Sequence, residues 1–261
     1  MIPIDLSNKK ALVTGSSSGL GAQIAKYLAK AGAQVAIHYH KEEKEAQDIA
    51  NDIMKEQTKV DIFQADISDI TQVEKLFKEI NEKMGGLDIL VNNAGIDGKR
   101  VYCVDSDPAE WENVIKINLF GPYYCAKEAL KIMIPQKSGV IIQITSVHEF
   151  IPWSGYSAYC CSKSALSMLT KTLAQEAADD NIRVISVAPG AIATPINEKV
   201  WKNPLGLTDL ENKIPMKRVG KSEEVANLVV FLTSDLASYI TGTTIPIDGG
   251  MLIYPDFRHG G

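Results

Sequence analysis

The stretch Ala11-Leu-Val-Thr14-Gly15-Ser-Ser-Ser-Gly19-Leu-Gly21 decides the fold. Ala11–Val13 is short, apolar and followed at once by glycine, as a buried strand entering a tight turn would be. Residues 20–31 then carry Leu20, Ile24, Tyr27 and Leu28 at helical spacing and stop at Gly32. Strand, glycine turn and helix in that order is the context that makes a glycine pattern a dinucleotide site. Glycines let backbone approach a pyrophosphate, and the helix N-terminus offers free N–H groups and a positive dipole end. The spacing is Gly-x-x-x-Gly-x-Gly, not the commoner Gly-x-Gly-x-x-Gly, so a glycine-rich turn without a ligand is the competing reading. Gly15, Ser17, Ser18, Gly19, Leu20 and Gly21 are the candidate cofactor-binding residues here.

Outward from that turn, strands and helices alternate. Residues 34–39 read as a second strand, 42–56 as a charged amphipathic helix, and 60–64 as a third strand leading to Asp66. Residues 69–84 place Ile70, Val73, Leu76, Phe77 and Ile80 on one helical face. A fourth strand over 86–91 closes on Asn92-Asn93-Ala94-Gly95. A long helix is expected over 108–134 with Asn118 near its middle, then a strand over 140–145 and a helix bearing Tyr159. A strand over 181–187 leads into Pro189-Gly190, and helix 222–234 and strand 243–247 follow. This alternation predicts right-handed βαβ units in a doubly wound α/β parallel sheet of about seven strands, helices on both faces. Residues 1–261 are read as one domain. The stretch 195–218, with Pro195, Pro204, Gly206 and Pro215 and little periodicity, reads as a mobile flap over the site. Residues 248–261 form a tail after Asp248-Gly-Gly250.

Composition narrows the function classes. The 261 residues are 45% hydrophobic, enough for a full core, and the net charge of -5 gives no basic patch for nucleic acid. Cys103, Cys125, Cys160 and Cys161 have neither zinc spacing nor disulfide density, so they are read as reduced thiols of a cytoplasmic protein. No apolar run approaches the ~18 residues of a membrane span, and the first ten residues lack the layout of a signal peptide. No metal site is expected.

The chemistry concentrates in Tyr159-Cys-Cys-Ser-Lys163, with Ser146 at the end of the apolar run 140–145. Residues four apart share one helix face. A phenol has a reference pKa of about 10, and a nearby ammonium favours its ionised form. Such a pair can exchange a proton with a hydroxyl or carbonyl. Ser146 would stand at a strand's C-terminal end, where open α/β sheets hold ligands. Asn118 reads either as a polar core residue or as part of this constellation. His38 and His40 alternate along the second strand and therefore share a side, near an adenosine ribose. No acidic residue follows that strand until Glu42: Tyr39, His40 and Lys41 come first, which favours NADP, with NAD or both as alternatives.

These pieces together resemble the short-chain dehydrogenase/reductase family over nearly the whole chain. Thr14-Gly15-x-x-x-Gly19-x-Gly21, Asn92-Asn-Ala-Gly95, Asn118, Ser146, Tyr159-x-x-x-Lys163 and Pro189-Gly190 occur in the family's order and spacing. The resemblance implies a Rossmann-type domain that binds NAD or NADP and assembles as a homotetramer, with the 248–261 tail at a subunit interface. It implies Tyr159 as acid/base, Ser146 on the reacting oxygen, and Lys163 lowering the tyrosine pKa and holding the nicotinamide ribose. Asn118 would support a proton relay through water. Asp66, Ile67, Asn93, Ala94 and Gly95 would border the adenosine, and Pro189, Gly190, Ile192 and Thr194 the nicotinamide. Within the family, 146–153, 189–197 and 248–257 are similar to bacterial glucose 1-dehydrogenases. That implies oxidation of β-D-glucose at C1 to gluconolactone, with Ser146, His148, Asp97, Tyr159 and Asn197 as substrate contacts. The alternatives are a 3-oxoacyl carrier-protein reductase, another alcohol or ketone oxidoreductase, and a silent nucleotide-sensing protein.

Overall fold

The computed structural model describes residues 4–194 and 203–253. Strands β1 (Lys10–Val13), β2 (Gln34–Tyr39), β3 (Val60–Gln64), β4 (Ile89–Asn92), β5 (Gly139–Ile144), β6 (Ile182–Pro189) and β9 (Thr244–Ile247) form the main sheet. A two-residue pair, β7 (Ile192–Ala193) and β8 (Gly220–Lys221), stands beside it. The main order is β3-β2-β1-β4-β5-β6-β9, every pair parallel, so the expected doubly wound sheet is present. Chain order reverses between β1 and β4, and the crevice beyond their carboxyl ends is where such folds bind ligands.

Strand alternation builds two cores. Ala11, Val13, Val35, Ile37, Ile89, Val91 and Ile142 face α1 (Gly19–Lys30), α2 (Glu43–Met54) and a late helix, α8 (Ser222–Thr233). Leu12, Ala36, Leu90, Ile141 and Val184 face α3 (Ile70–Met84), α5 (Gly121–Gln136) and α6 (Ser157–Ala177). Both faces are buried, so these strands read as continuous apolar runs.

Two departures from the expected elements bear on the site. The single helix expected over 108–134 is three pieces: α4 (Pro108–Ile115), a π-turn over Lys116–Phe120, and α5. Asn118 lies in the π-turn, and widened turns of this kind accompany functional positions. The stretch 195–218 is not devoid of periodic structure either. It holds α7 (Pro204–Asn212), with Asn203 accepting from Leu205 N–H as its cap and Pro204 in the first turn. Proline there is a start signal, since its missing N–H is one that no helix satisfies. Past α7 the chain is pinned: Ile214 is buried and Met216 N–H donates to Gly249 O. Residues 195–202 and 254–261, parts of the expected flap and tail, lie outside the described residues.

The glycine turn is packed tightly against its neighbours. A Cβ on Gly21 would stand 2.4 Å from both Asn93 Nδ2 and Gly15 O. Gly→Ala in a helix ordinarily stabilises by up to about 1 kcal/mol. Gly21→Ala should instead destabilise by about 1–3 kcal/mol, the usual cost of overpacking. Urea denaturation checks this, and an unchanged or higher midpoint would contradict the packing.

Candidate active site

A cleft of about 1480 Å³ runs from the glycine turn across the carboxyl ends of the central strands to Trp153. Gly15, Ser17, Ser18, Gly19, Leu20, Gly21, His40, Asp66, Ile67, Asn93, Ala94 and Gly95 line one half. Pro189, Gly190, Ile192, Thr194, Tyr159 and Lys163 line the middle. Tyr39, expected among them, does not: it packs against the core beside α1 and α2. Alternation along β2 dictates this, because Val35, Ile37 and Tyr39 share one side and His38 and His40 the other. Lys41, expected beside the ribose, lines the cleft, and so does Glu42, which was not picked out as a contact.

The glycine turn is held by a hydrogen-bond lattice. Thr14 Oγ1 accepts from Asn93 N–H and Ala94 N–H at 3.0 Å each, and Asn93 Nδ2 donates to Thr14 O and Gly15 O. Behind the turn, Gly15 N–H donates to His38 Nδ1 at 3.0 Å, and His38 Nε2–H donates to Ala65 O at 3.1 Å. His38 is buried, and desolvation pushes its pKa down to about 4 against a smaller lift from the Ala65 carbonyl. Its neutral tautomer is thus fixed by its partners. Ser18 precedes α1 without capping it through its side chain, which leaves the helix N-terminus facing the cleft. An uncapped helix start beside a glycine cradle fits a pyrophosphate. Next to it Asp66 accepts from Ser68 and lies 3.6 Å from His40. Burial raises the Asp66 pKa, but Ser68 and His40 outweigh it and the carboxyl is held low.

At the centre, Ser146 follows β5 in extended conformation and its hydroxyl accepts from His148 N–H. The Tyr159 hydroxyl is buried next to Ser146. Lys163 Nζ donates to Ile144 O at 2.9 Å and lies 5.6 Å from the Tyr159 ring centroid. Burial pushes the lysine down to about 8, while Asp97 and Glu149 pull it back up. The tyrosine does not follow the expected direction. Burial pushes its hydroxyl well above the ordinary value, opposed by Ser146, and Lys163 contributes no resolved lowering. With its ammonium turned to the Ile144 carbonyl, the lysine is not placed to offset that desolvation. Tyr159 is accordingly a protonated phenol near neutral pH, a proton donor.

Asn118 stands behind this wall, fully buried. Its Oδ1 accepts from Ile96 N–H at 2.8 Å, and its Nδ2 donates to Ile96 O and to Ser162 Oγ. The side chain therefore clamps the segment after β4 to α6 and has no spare donor for a relay. Ile96 and Ser162, its partners, were not distinguishable from core residues in the sequence.

At the far end, His148 stacks on Trp153 at 4.6 Å between centroids, and Trp153 stacks on Tyr156 at 3.9 Å. His148 donates from Nδ1 to Ile151 O, and burial lowers its pKa. Asp97 lines the same space, and burial raises its pKa against the pull of Lys163 and His148. Asn197 lies outside the described residues. Lys99, next to this region, is paired with Glu110.

A family model described as enoyl-(acyl carrier protein) reductase matches residues 15–252. A 3beta-hydroxysteroid dehydrogenase of Eggerthella lenta is 42% identical over 260 residues, covering 98% of each chain. Glucose 1-dehydrogenase 2 of Bacillus subtilis is 38% identical over 252 residues, 96% of this chain and 97% of its own. A short-chain type dehydrogenase/reductase from Mycobacterium marinum superposes with a TM-score of 0.90 at 35% identity, covering 97% of this chain and 98% of that one. Gluconate 5-dehydrogenase from Burkholderia cenocepacia, in complex with NADP and tartrate, gives 0.91 at 30% identity over 95% and 97%. The chain belongs to the short-chain dehydrogenase/reductase family. It is an oxidoreductase of alcohols and carbonyls that uses a nicotinamide dinucleotide. No helix among the described residues is long and apolar enough to cross a membrane.

His38 makes the structure sensitive to acid. Its pKa falls from the ordinary 6.5 to about 4, so between those values the unfolded chain binds the extra proton. The stability it supports is complete above pH 6.5 and is lost as pH falls toward 4, on the order of 3 kcal/mol. Urea denaturation at pH 7, 5.5 and 4.5 checks this, with His38→Asn expected to show a shallower loss. Equal losses in both proteins would contradict it.

Proposed function

We propose that the protein oxidises a ring-held hydroxyl, with the anomeric C1 hydroxyl of β-D-glucose as leading substrate and NADP as preferred acceptor. The carrying observation is the group of Ser146, Tyr159 and Lys163 at the middle of the cleft, with Ser146 and Lys163 buried and Tyr159 partly so. The dinucleotide, held by the glycine turn, Asp66 and the 189–194 strand end, supplies the hydride acceptor. Ser146 then holds the substrate oxygen and Tyr159 exchanges its proton. The raised tyrosine pKa suits donation to a carbonyl, so oxidation needs added positive charge near the ring to favour phenolate. Asn118 acts by positioning Ile96 and α6.

Asp97 supports a polyol over an apolar substrate. It is a half-buried carboxyl without a cation at ion-pair distance among the described residues, and a sugar's hydroxyls would satisfy it. His148 and Trp153 offer a flat wall for a ring. A second reading, a 3-hydroxysteroid, is favoured by the 42% identical relative and by Ile151, Pro152, Leu210 and Met251 along the cleft. The carrier-protein thioester would rely on Arg100 at the rim, since Lys99 is paired with Glu110. For NADP, Lys41 is the exposed cation at the end of β2, since His40 leans toward Asp66. Phe120, Tyr123 and Met168 are exposed on the π-turn, α5 and α6, an apolar face that supports the homotetramer. The four free cysteines suit the cytoplasm.

Four measurements test this reading. Glucose oxidation should exceed oxidation of a 3β-hydroxysteroid and reduction of an acetoacetyl thioester in kcat/KM, and either rival leading by tenfold displaces glucose. In the same assay Tyr159→Phe should lower turnover by about 10²–10⁴ with cofactor affinity kept; a loss under tenfold means that another group moves the proton. Lys41→Ala should raise KM for NADP about tenfold and spare NAD, as expected when a phosphate loses a charged partner; equal change with both removes Lys41 from cofactor choice. Light scattering should report four times the 28.5 kDa chain mass, whereas a monodisperse monomer excludes the tetramer.

A further inference from the structure

We infer that His38 is a positioning residue for the cofactor: its imidazole sets the glycine turn at the height from which the helix start meets the dinucleotide. Three walls of the adenosine half come from different strands, and one ring joins them. Gly15 N–H, at the end of β1, donates to Nδ1 at 3.0 Å, and Nε2–H donates to Ala65 O beyond β3 at 3.1 Å. The residue's own backbone closes the frame. His38 N–H donates to Ser16 Oγ at 3.0 Å, Ser16 Oγ donates to Val13 O at 2.7 Å, and Ser16 N–H donates to His38 O. Ala65 immediately precedes Asp66, so the same ring fixes the spacing between turn and acidic wall.

Gly15 has φ +63, and a Cβ there would meet Ala94 Cα at 2.9 Å. The turn is thus fitted against the segment after β4 on one side and against His38 on the other. Without an acceptor at Nδ1, the part-buried Gly15 N–H loses its partner and the turn shifts toward the space of the phosphates to reach water. A side chain that only filled volume would leave that N–H unpaired. The two ring nitrogens can be separated by substitution, because Asn Oδ1 reproduces the position of Nδ1 and Gln Nε2 that of Nε2.

The inference rests on dinucleotide binding and not on the identity of the substrate. Its test is direct binding of NADPH and NADH by fluorescence titration, with amide exchange at Gly15 in the free protein followed by NMR. His38→Leu should weaken cofactor binding at least tenfold and speed Gly15 exchange, while kcat at saturating cofactor stays within twofold. His38→Asn should bind within threefold of wild type, and His38→Gln should resemble His38→Leu. Wild-type affinity in His38→Leu, unchanged Gly15 exchange, or rescue by Gln but not Asn would each overturn the assignment. If His38→Leu does not fold, the Asn and Gln pair decides alone. Failure of wild type to bind either nucleotide would count against the cofactor reading itself, and so is distinguishable.

Discussion

The structure depends on the seam between β1 and β4. There the chain order reverses within an all-parallel sheet, which leaves a crevice beyond the carboxyl ends of the two strands. What keeps the crevice from closing or sliding is a small set of backbone contacts: Thr14 Oγ1 receives two N–H groups from Asn93 and Ala94, and Asn93 returns its amide to Thr14 and Gly15. These bonds use side chains to satisfy backbone groups that have no sheet partner beyond the strand ends. A Cβ at Gly15 or Gly21 would intrude on this seam. Glycine is required by approach as well as by turn conformation.

A second device of the same kind organises the reacting end. Asn118 sits in a π-turn where one continuous helix would otherwise run, and its amide is spent on Ile96 and Ser162. Gly121 at the resumption of the helix lets Ile67 approach, since a Cβ there would be 2.7 Å from Ile67 Cδ1. The loop after β4, which carries Asp97, is thereby tied to the helix that carries Tyr159 and Lys163. Buried amides hold both halves of the cleft, which leaves the charged groups available for ligands.

Electrostatics at the centre follow from burial more than from pairing. Lys163 is pushed down to about 8 and Tyr159 up, both because the charged forms lose water. The same desolvation keeps His38 neutral and raises Asp97. Burial around the cleft thus sets five titratable groups, His148 among them, away from their ordinary values.

The sequence by itself determined the strand and helix order, the doubly wound sheet, the glycine turn and the shared helix face of Tyr159 and Lys163. Each depends on local signals: alternation, helical spacing, glycines after a strand, and residues four apart on one helix. It also contained the placement of Tyr39, since side chains at 35, 37 and 39 must share a face. The start of α7 was legible too in Asn203-Pro204. Only the tertiary structure decided how the polar side chains are spent. That Asn118 would be consumed by Ile96, that His38 would join Gly15 to Ala65, and that Lys163 would turn to Ile144 all depend on groups 19 to 27 positions away. No periodicity encodes such pairings. They arise when parallel strands bring distant chain ends to one edge, and desolvation there sets the protonation states on which the chemistry runs.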